Sequence, residues 1–187
     1  MPALESNELA DLSGLLQLSG LLLSEELKHE SLALLEEDAI RSVLIGLEPE
    51  VETFLNQEWN GEALEEAAVE YCHLFVLPKG ISPMASAWTS KDEAENISLH
   101  IQTVSATLRS AVEIHLPTKL GALPPEHAAR LLSTAAGLAA SRELDIQSQA
   151  IPFLQATTVP WLGKFSERLS QNSTSNDEAT SIVTKSS

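Results

Sequence analysis

The sequence predicts an all-α fold, a single-domain bundle of about seven helices. Of its residues 43% are hydrophobic and only 4% are aromatic, so leucine and alanine must fill the core, and both favour helices over strands. Apolar residues recur at spacings of three and four, and no segment shows sustained alternation with β-branched residues. The 187 residues suffice for one domain with a hydrophobic core but not for two ordinary domains.

The N-terminal third contains three predicted helices. The first presents a leucine face within a sector of about 140°, formed by Leu9, Leu12, Leu15, Leu16, Leu22 and Leu23. A second helix is predicted over about 30–46, where apolar residues recur at helical spacing and Gly46 can end it. Pro49 suits the first turn of a short third helix, because a proline there removes no helical hydrogen bond.

Two longer helices are predicted in the middle of the chain. Asn60 can cap the first of them, which ends before the proline at position 78. A loop rich in proline follows. Ser90 and Glu93 then form a capping box, which predicts the start of a helix over about 91–114.

The C-terminal part contains two more predicted helices. Pro125 suits the first turn of one, and the other begins near Pro152 and continues to about position 169. The residues after it are polar and small. We therefore expect one ordered domain over 1–170 and a disordered tail over 171–187.

The net charge of −16 is concentrated in the first part of the chain. Residues 1–70 carry 17 acids and two bases, a balance of −15, whereas residues 71–187 carry 10 acids and nine bases, a balance of −1. Such a charge repels phosphate, so we expect neither a nucleic-acid partner nor an anionic membrane surface. It attracts a basic partner instead.

The sequence also predicts a cytoplasmic location. A single cysteine, Cys72, cannot form an internal disulfide, which suits a reducing compartment. Acids stand near the N-terminus where a secretory signal has lysine or arginine, so no export signal is expected. The most apolar stretch, Leu12–Leu23, is too short and too polar to span a bilayer.

The residues that carry enzyme chemistry elsewhere are not grouped in this sequence. It has no nucleophile-elbow pattern, no metal-ligand spacing among its five histidines and no glycine-rich phosphate cradle. We therefore expect a protein that is not an enzyme and that holds no cofactor or metal. One alternative is a metal-dependent hydrolase that brings together His73, His115 or His127 from different helices.

A proline-rich helix start is the most informative polar feature. Two prolines precede Glu126 and His127, which predicts that both lie in the first turn of a helix. The unpaired N–H groups and the dipole there stabilise Glu126 as an anion and disfavour a cationic His127. Glu126 can then accept hydrogen bonds from a guanidinium or ammonium group of a ligand.

Three stretches carry a recognisable pattern. A Tyr-x-x-Leu-Phe helix end leads into a loop that closes with Ser-x-aromatic, here Tyr71, Leu74, Phe75, Pro78, Pro83, Ser86 and Trp88. A Glu-Pro-x-Asp-His helix start corresponds to 123–127, and a Phe-Leu…Trp-x-x-x-Phe helix to Phe153, Leu154, Trp161 and Phe165. In this order, over about residues 5–170, they resemble the TorD/DmsD/NarJ family of molybdoenzyme maturation chaperones.

The resemblance implies an all-helical, TorD/DmsD-like cytoplasmic chaperone. Such proteins bind the twin-arginine signal peptide or the apo catalytic subunit of a molybdopterin-containing oxidoreductase until its cofactor is inserted. A monomer or a domain-swapped dimer is compatible with it. The resemblance also implies a peptide-binding site in which Glu126 and His127 make the polar contacts. The other members of that site are Pro124, Tyr71, Phe75, Pro83, Ser86 and Trp88. Tyr71 and Phe75 alternatively belong to the core.

Four positions depart from the family pattern. Leu123 replaces the leading glutamate, Glu126 the aspartate, Thr157 a histidine and Arg130 an acid. The departures at Leu123, Glu126 and Thr157 motivate a second hypothesis, a generic helical interaction module without a chaperone role. That hypothesis predicts that the loop at 78–88 and the turn at 123–127 do not lie against one groove.

Overall fold

The structure, a computed structural model, describes residues 6–28, 32–33, 35–47, 49, 51–111 and 123–184, with side chains described as far as 172. In these ranges every extended regular element is a helix, and the one β-bridge joins Met84 to His127. The predicted all-α, single-domain class is confirmed.

The helices follow one another in a simple order. They are α1 Ser6–Ser24, α2 Asp38–Leu47, α3 Val51–Leu55, α4 Gly61–Tyr71, α5 Lys91–Ala111, α6 Ala128–Ala139, α7 Leu144–Gln147, α8 Ala150–Thr157 and α9 Val159–Thr184. A π-helical turn, Cys72–Val76, continues α4, and a 3₁₀ turn, Ala85–Ala87, interrupts the loop before α5.

Local capping explains the starts of two long helices. The Asn60 side chain accepts a hydrogen bond from the Ala63 N–H at 3.0 Å and so caps α4, as predicted. The Glu93 carboxylate accepts from the Ser90 N–H at 2.8 Å, and the Ser90 hydroxyl accepts from the Glu93 N–H at 3.3 Å. This reciprocal capping box before α5 confirms the sequence prediction.

The predicted second helix is interrupted. Described residues 32, 33 and 35 are helical, but a turn at 36–37 separates them from α2. The break places Asp38 in the first turn of α2, where the helix dipole stabilises a carboxylate. The prediction of one continuous helix over 30–46 is therefore wrong.

The last predicted helix is divided as well. The chain turns at Thr158 between α8 and α9, because Pro160 in a continuous helix would lack an N–H donor and clash with the preceding turn. The helix α9 then continues beyond the predicted end near 169, since neither glycine nor proline follows Gly163 to stop it. Disorder of the tail over 171–187 stays a prediction.

The main apolar cluster is built around α6. That helix is buried on nearly all sides, and α1, α5, α8 and α9 contribute the other members of the cluster, among them Leu16, Ile97, Phe153, Trp161 and Phe165. A second cluster, centred on Leu18, Leu32 and Leu35, joins the opposite side of α1 to the segment before α4. The helix α1 therefore supports both cores.

The helices α1 and α6 run antiparallel. The Ser13 hydroxyl donates to the Ala136 carbonyl at 3.0 Å, whereas Gly20 lies against Ala129 and Ser133. A Cβ atom at Gly20 would be 2.6 Å from Ser133 Oγ and 3.0 Å from the Ala129 carbonyl oxygen. Glycine thus permits the close approach, and the C-terminal end of α1 lies near the start of α6.

Candidate functional site

The proline-rich loop and the turn before α6 are paired directly. The Ala85 N–H donates to the Glu126 carbonyl at 3.1 Å, and the Ala128 N–H donates to the Pro83 carbonyl at 2.8 Å. Together these bonds form the bridge between Met84 and His127. The generic-module hypothesis, which predicts that the two segments lie apart, is wrong on this point.

The third stretch lies beside the same loop. The Trp88 ring meets Phe165 of α9 edge-on, with ring centroids 5.9 Å apart, and Phe165 in turn contacts Trp161 at 5.5 Å. The Lys164 ammonium donates to the Trp88 carbonyl at 3.1 Å, and the Trp88 indole N–H donates to the Ser82 carbonyl at 2.8 Å. The three stretches that carry the family pattern therefore meet at one place in the fold.

Glu126 is the polar group at the surface of this junction. It lies in the turn before α6, because the helix begins only at Ala128, so the prediction that it occupies the first helical turn is wrong. Its half-buried carboxylate accepts a hydrogen bond from the exposed Ser86 hydroxyl at 2.8 Å. A carboxylate has about four acceptor positions, so Glu126 retains capacity for a ligand cation.

His127 has a structural role at the same junction. It is the N-cap of α6 rather than a first-turn residue, and its Nδ1 atom accepts from the Ala129 N–H at 3.2 Å. Only 8% of the residue is exposed, and burial lowers the pKa of the imidazole below its ordinary value. Burial, rather than the helix dipole invoked from the sequence, therefore disfavours the imidazolium form.

The exposed and half-buried members of the junction form what we call the loop–turn surface. It consists of Pro83, Ser86, Trp88, Pro124 and Glu126. The Pro124 carbonyl accepts the His127 N–H at 3.0 Å, which fixes the turn, and the ring contact with α9 fixes Trp88. Backbone hydrogen bonds and one ring contact thus hold a carboxylate and apolar side chains together.

Tyr71, the last residue of α4, packs against Phe75 in the π-helical turn that follows. Their ring centroids are 5.3 Å apart, and Phe75 packs against the main cluster, in keeping with the core alternative. Burial, with smaller effects from Cys72, Glu25 and Glu26, raises the pKa of the Tyr71 hydroxyl. Both residues are half-buried, and Phe75 packs against the same cluster as Trp88.

One departure from the family pattern, Arg130, supplies a side-chain bond at the junction. Arg130 lies in the first turn of α6, and its guanidinium donates to the Leu123 carbonyl at 2.7 Å. This bond links the helix to the turn that precedes it. The Trp161 indole N–H donates to the Thr157 backbone carbonyl at 2.7 Å across the break between α8 and α9, a bond that does not depend on the side chain at position 157. The Thr157 hydroxyl itself donates to the Phe153 carbonyl within α8 at 2.7 Å. Sequence reasoning missed the bond from Arg130, because the turn before α6 brings a carbonyl seven residues earlier within reach of the guanidinium.

A metal centre has no support from the described residues. Within them, no three histidine, cysteine, aspartate or glutamate side chains are grouped to hold an ion. The hydrolase alternative depends partly on His115, which lies outside the described residues. None of the helices in the described part of the chain combines the length and apolarity needed to cross a membrane.

Comparison with known families agrees with this geometry. A family model described as "Nitrate reductase delta subunit" matches residues 15–167. The matched span contains the loop–turn surface, the Trp88–Phe165 contact and both apolar clusters. The start of α1 and the end of α9 lie outside it.

Proposed function

The chain belongs to the nitrate reductase delta subunit family of molybdoenzyme maturation chaperones, and from this premise we propose that it acts on a molybdoenzyme client in the cytoplasm. It binds the twin-arginine signal peptide or the apo catalytic subunit and retains the client until the cofactor is inserted. The loop–turn surface is the binding site.

The observation that carries this proposal is the Glu126 carboxylate held beside apolar side chains. A twin-arginine leader presents basic residues followed by an apolar segment. Glu126 accepts from a guanidinium of the leader, because charged hydrogen bonds between carboxylate and arginine are strong and directional. Trp88 and Pro83 lie on the same surface and contact the apolar segment.

The charge of the protein supports the same partner. A net charge of −16 attracts a basic leader over distances of about the Debye length, near 10 Å at moderate salt. This long-range attraction raises the association rate, whereas the contacts at Glu126 determine the dissociation rate. We therefore expect the affinity for a leader to fall as salt is added.

The test is calorimetric titration with the twin-arginine leader peptides of the organism's own molybdoenzymes, at low and moderate salt. Glu126→Gln should weaken binding about tenfold, since a hydrogen bond to a charged group contributes about 1.5 kcal/mol. The glutamine oxygen still accepts from Ser86, so stability should change little.

Glu143→Gln is the matched control. It removes one exposed carboxylate beyond the opposite end of α6 and should leave the Kd nearly unchanged. An equal effect of the two substitutions would assign leader binding to overall charge alone. A Kd unaffected by Glu126→Gln refutes the assigned contact, and failure of every leader and apo subunit to bind refutes the chaperone function.

A further inference from the structure

A small cavity lies between the segment before α2 and the connection from α3 to α4. Its volume is about 290 Å³, just below the range of about 300–1,000 Å³ that is typical of ligand pockets. Its size therefore suits a compact small molecule. The described residues that line it are Leu32, Ala33, Leu35, Glu36, Leu55, Gln57 and Trp59.

The apolar wall of this cavity belongs to the second cluster. Leu32 and Leu35 are buried there, and Leu55 and Trp59 pack against that cluster. The Trp59 ring also meets the Phe54 ring edge-on, with ring centroids 4.9 Å apart. These contacts hold a half-buried indole beside leucine side chains in the wall of the cavity.

Two exposed polar residues complete the lining. Glu36 lies in the turn before α2, and its N–H donates to the Leu32 carbonyl at 3.0 Å. Gln57 follows α3, and its N–H donates to the Phe54 carbonyl at 3.2 Å. Backbone bonds thus anchor one carboxylate and one amide at the edge of an apolar cavity.

The surroundings of the cavity favour a cation. No lysine or arginine is among the described residues that line it, and the two bases of residues 1–70 bond elsewhere. Lys28 lies 3.1 Å from the Glu25 carboxylate, and the Arg41 guanidinium donates to the Leu55 carbonyl at 3.3 Å. The balance of −15 over residues 1–70 attracts positive ligands and repels phosphate, in the same sense as Glu36 does.

We propose that this cavity binds a small quaternary ammonium ion of the choline type. Its methyl groups pack on the leucines and on the Trp59 indole, whose ring electrons attract the positive charge, and Glu36 supplies the opposite charge. A quaternary ammonium has no N–H group, so contact with leucines leaves no donor unpaired, whereas a primary ammonium carries three donors. The Gln57 amide bonds to a hydroxyl group of the ligand.

The test compares ligands of one shape and different charge. The probes are choline and its uncharged carbon isostere, dimethylbutanol, at constant chloride concentration. Saturation-transfer NMR detects weak ligands, and its titration gives a Kd for each. The wild type should bind choline about tenfold more tightly than dimethylbutanol, because only choline interacts with the indole and the carboxylate through charge. Butylammonium, which imitates a lysine side chain, should bind more weakly than choline.

Substitutions then locate the ligand. Trp59→Leu should weaken choline binding about tenfold, and Trp59→Phe should retain part of it, because phenylalanine keeps an aromatic face. Glu36→Gln should weaken it about threefold. Glu37→Gln is the matched control, since it removes the same charge from the next exposed residue, which lines a separate cleft between α1 and α2. It should leave the Kd for choline unchanged.

Four results would overturn the site. They are no binding of choline, equal binding of choline and dimethylbutanol, tighter binding of butylammonium than of choline, and equal effects of Glu36→Gln and Glu37→Gln. If circular dichroism shows that Trp59→Leu does not fold, Trp59→Phe and the exposed Glu36→Gln decide. No residue of the loop–turn surface lines the cavity, so these results and the leader titrations test separate sites.

Discussion

The contact between α1 and α6 gives a quantitative test of the packing, through Gly20→Ala. Replacing a glycine inside a helix with alanine ordinarily stabilises a protein by about 0.5–1 kcal/mol. At Gly20 the new methyl group would lie 2.6 Å from Ser133 Oγ and 3.0 Å from the Ala129 carbonyl oxygen. The hydroxyl can rotate away, but the carbonyl belongs to the backbone of a buried helix.

The expected loss follows from these two terms. Overpacking of a well-packed contact costs about 1–3 kcal/mol, which exceeds the gain in helix propensity. Gly20→Ala should therefore lower the free energy of unfolding by about 1 kcal/mol. Gly163→Ala is the control, because a methyl group there meets nothing within 4 Å, and it should raise the free energy of unfolding by about 0.5–1 kcal/mol.

Urea denaturation followed by circular dichroism measures all three proteins. A third variant, Gly20→Ala with Ser133→Ala, removes the hydroxyl contact and should recover part of the loss. In the described structure Ser133 Oγ is buried and lacks a hydrogen-bond partner, so its removal costs no hydrogen bond. If Gly20→Ala stabilises the protein as much as Gly163→Ala does, the close approach of α1 and α6 is refuted.

Two further predictions concern helix starts. Burial lowers the pKa of the His127 imidazole, so the unfolded chain takes up a proton at a higher pH than the folded protein does. The stability that the neutral ring contributes is present above the ordinary pKa of 6.5. It is lost as the pH falls below that value, by at most about 1.4 kcal/mol of unfolding free energy per pH unit. His127→Asn replaces the capping nitrogen with an oxygen acceptor that does not titrate, so it should lose less stability between about pH 7.5 and 5.5 in urea denaturation. Equal losses would contradict the reasoning. Asn60→Ala removes the cap of α4 and should cost about 1 kcal/mol in the same assay, whereas an unchanged midpoint would show that the cap contributes nothing.

Local chemistry made much of the helical structure predictable. Asn60 and the Ser90–Glu93 box mark helix starts through side chains that bond the backbone within one turn, and such signals can be read along the chain. Helix interruptions were harder to predict. The turn at 36–37 and the break at Thr158 depend on how the flanking apolar residues pack, although Pro160 was visible as a cause of the second.

The candidate site was predictable in its members and not in its arrangement. The sequence indicated Glu126, Ser86 and Trp88 as separate positions in two loops. Only the tertiary structure showed that the Ser86 hydroxyl donates to Glu126 and that Trp88 meets Phe165. It also showed that Phe75 packs against the main cluster and contacts the Tyr71 ring, which spacing along the chain left open.

Sequence alone determined the helical class and the acidic character of the first part of the chain, because composition and short-range spacing encode both. It also determined the order of the three stretches that resemble the chaperone family. The tertiary structure decided that these stretches meet, that the His127 ring is buried and that α1 and α2 leave a cleft. Such contacts join residues tens of positions apart, so they arise from packing of the whole chain and from no local pattern.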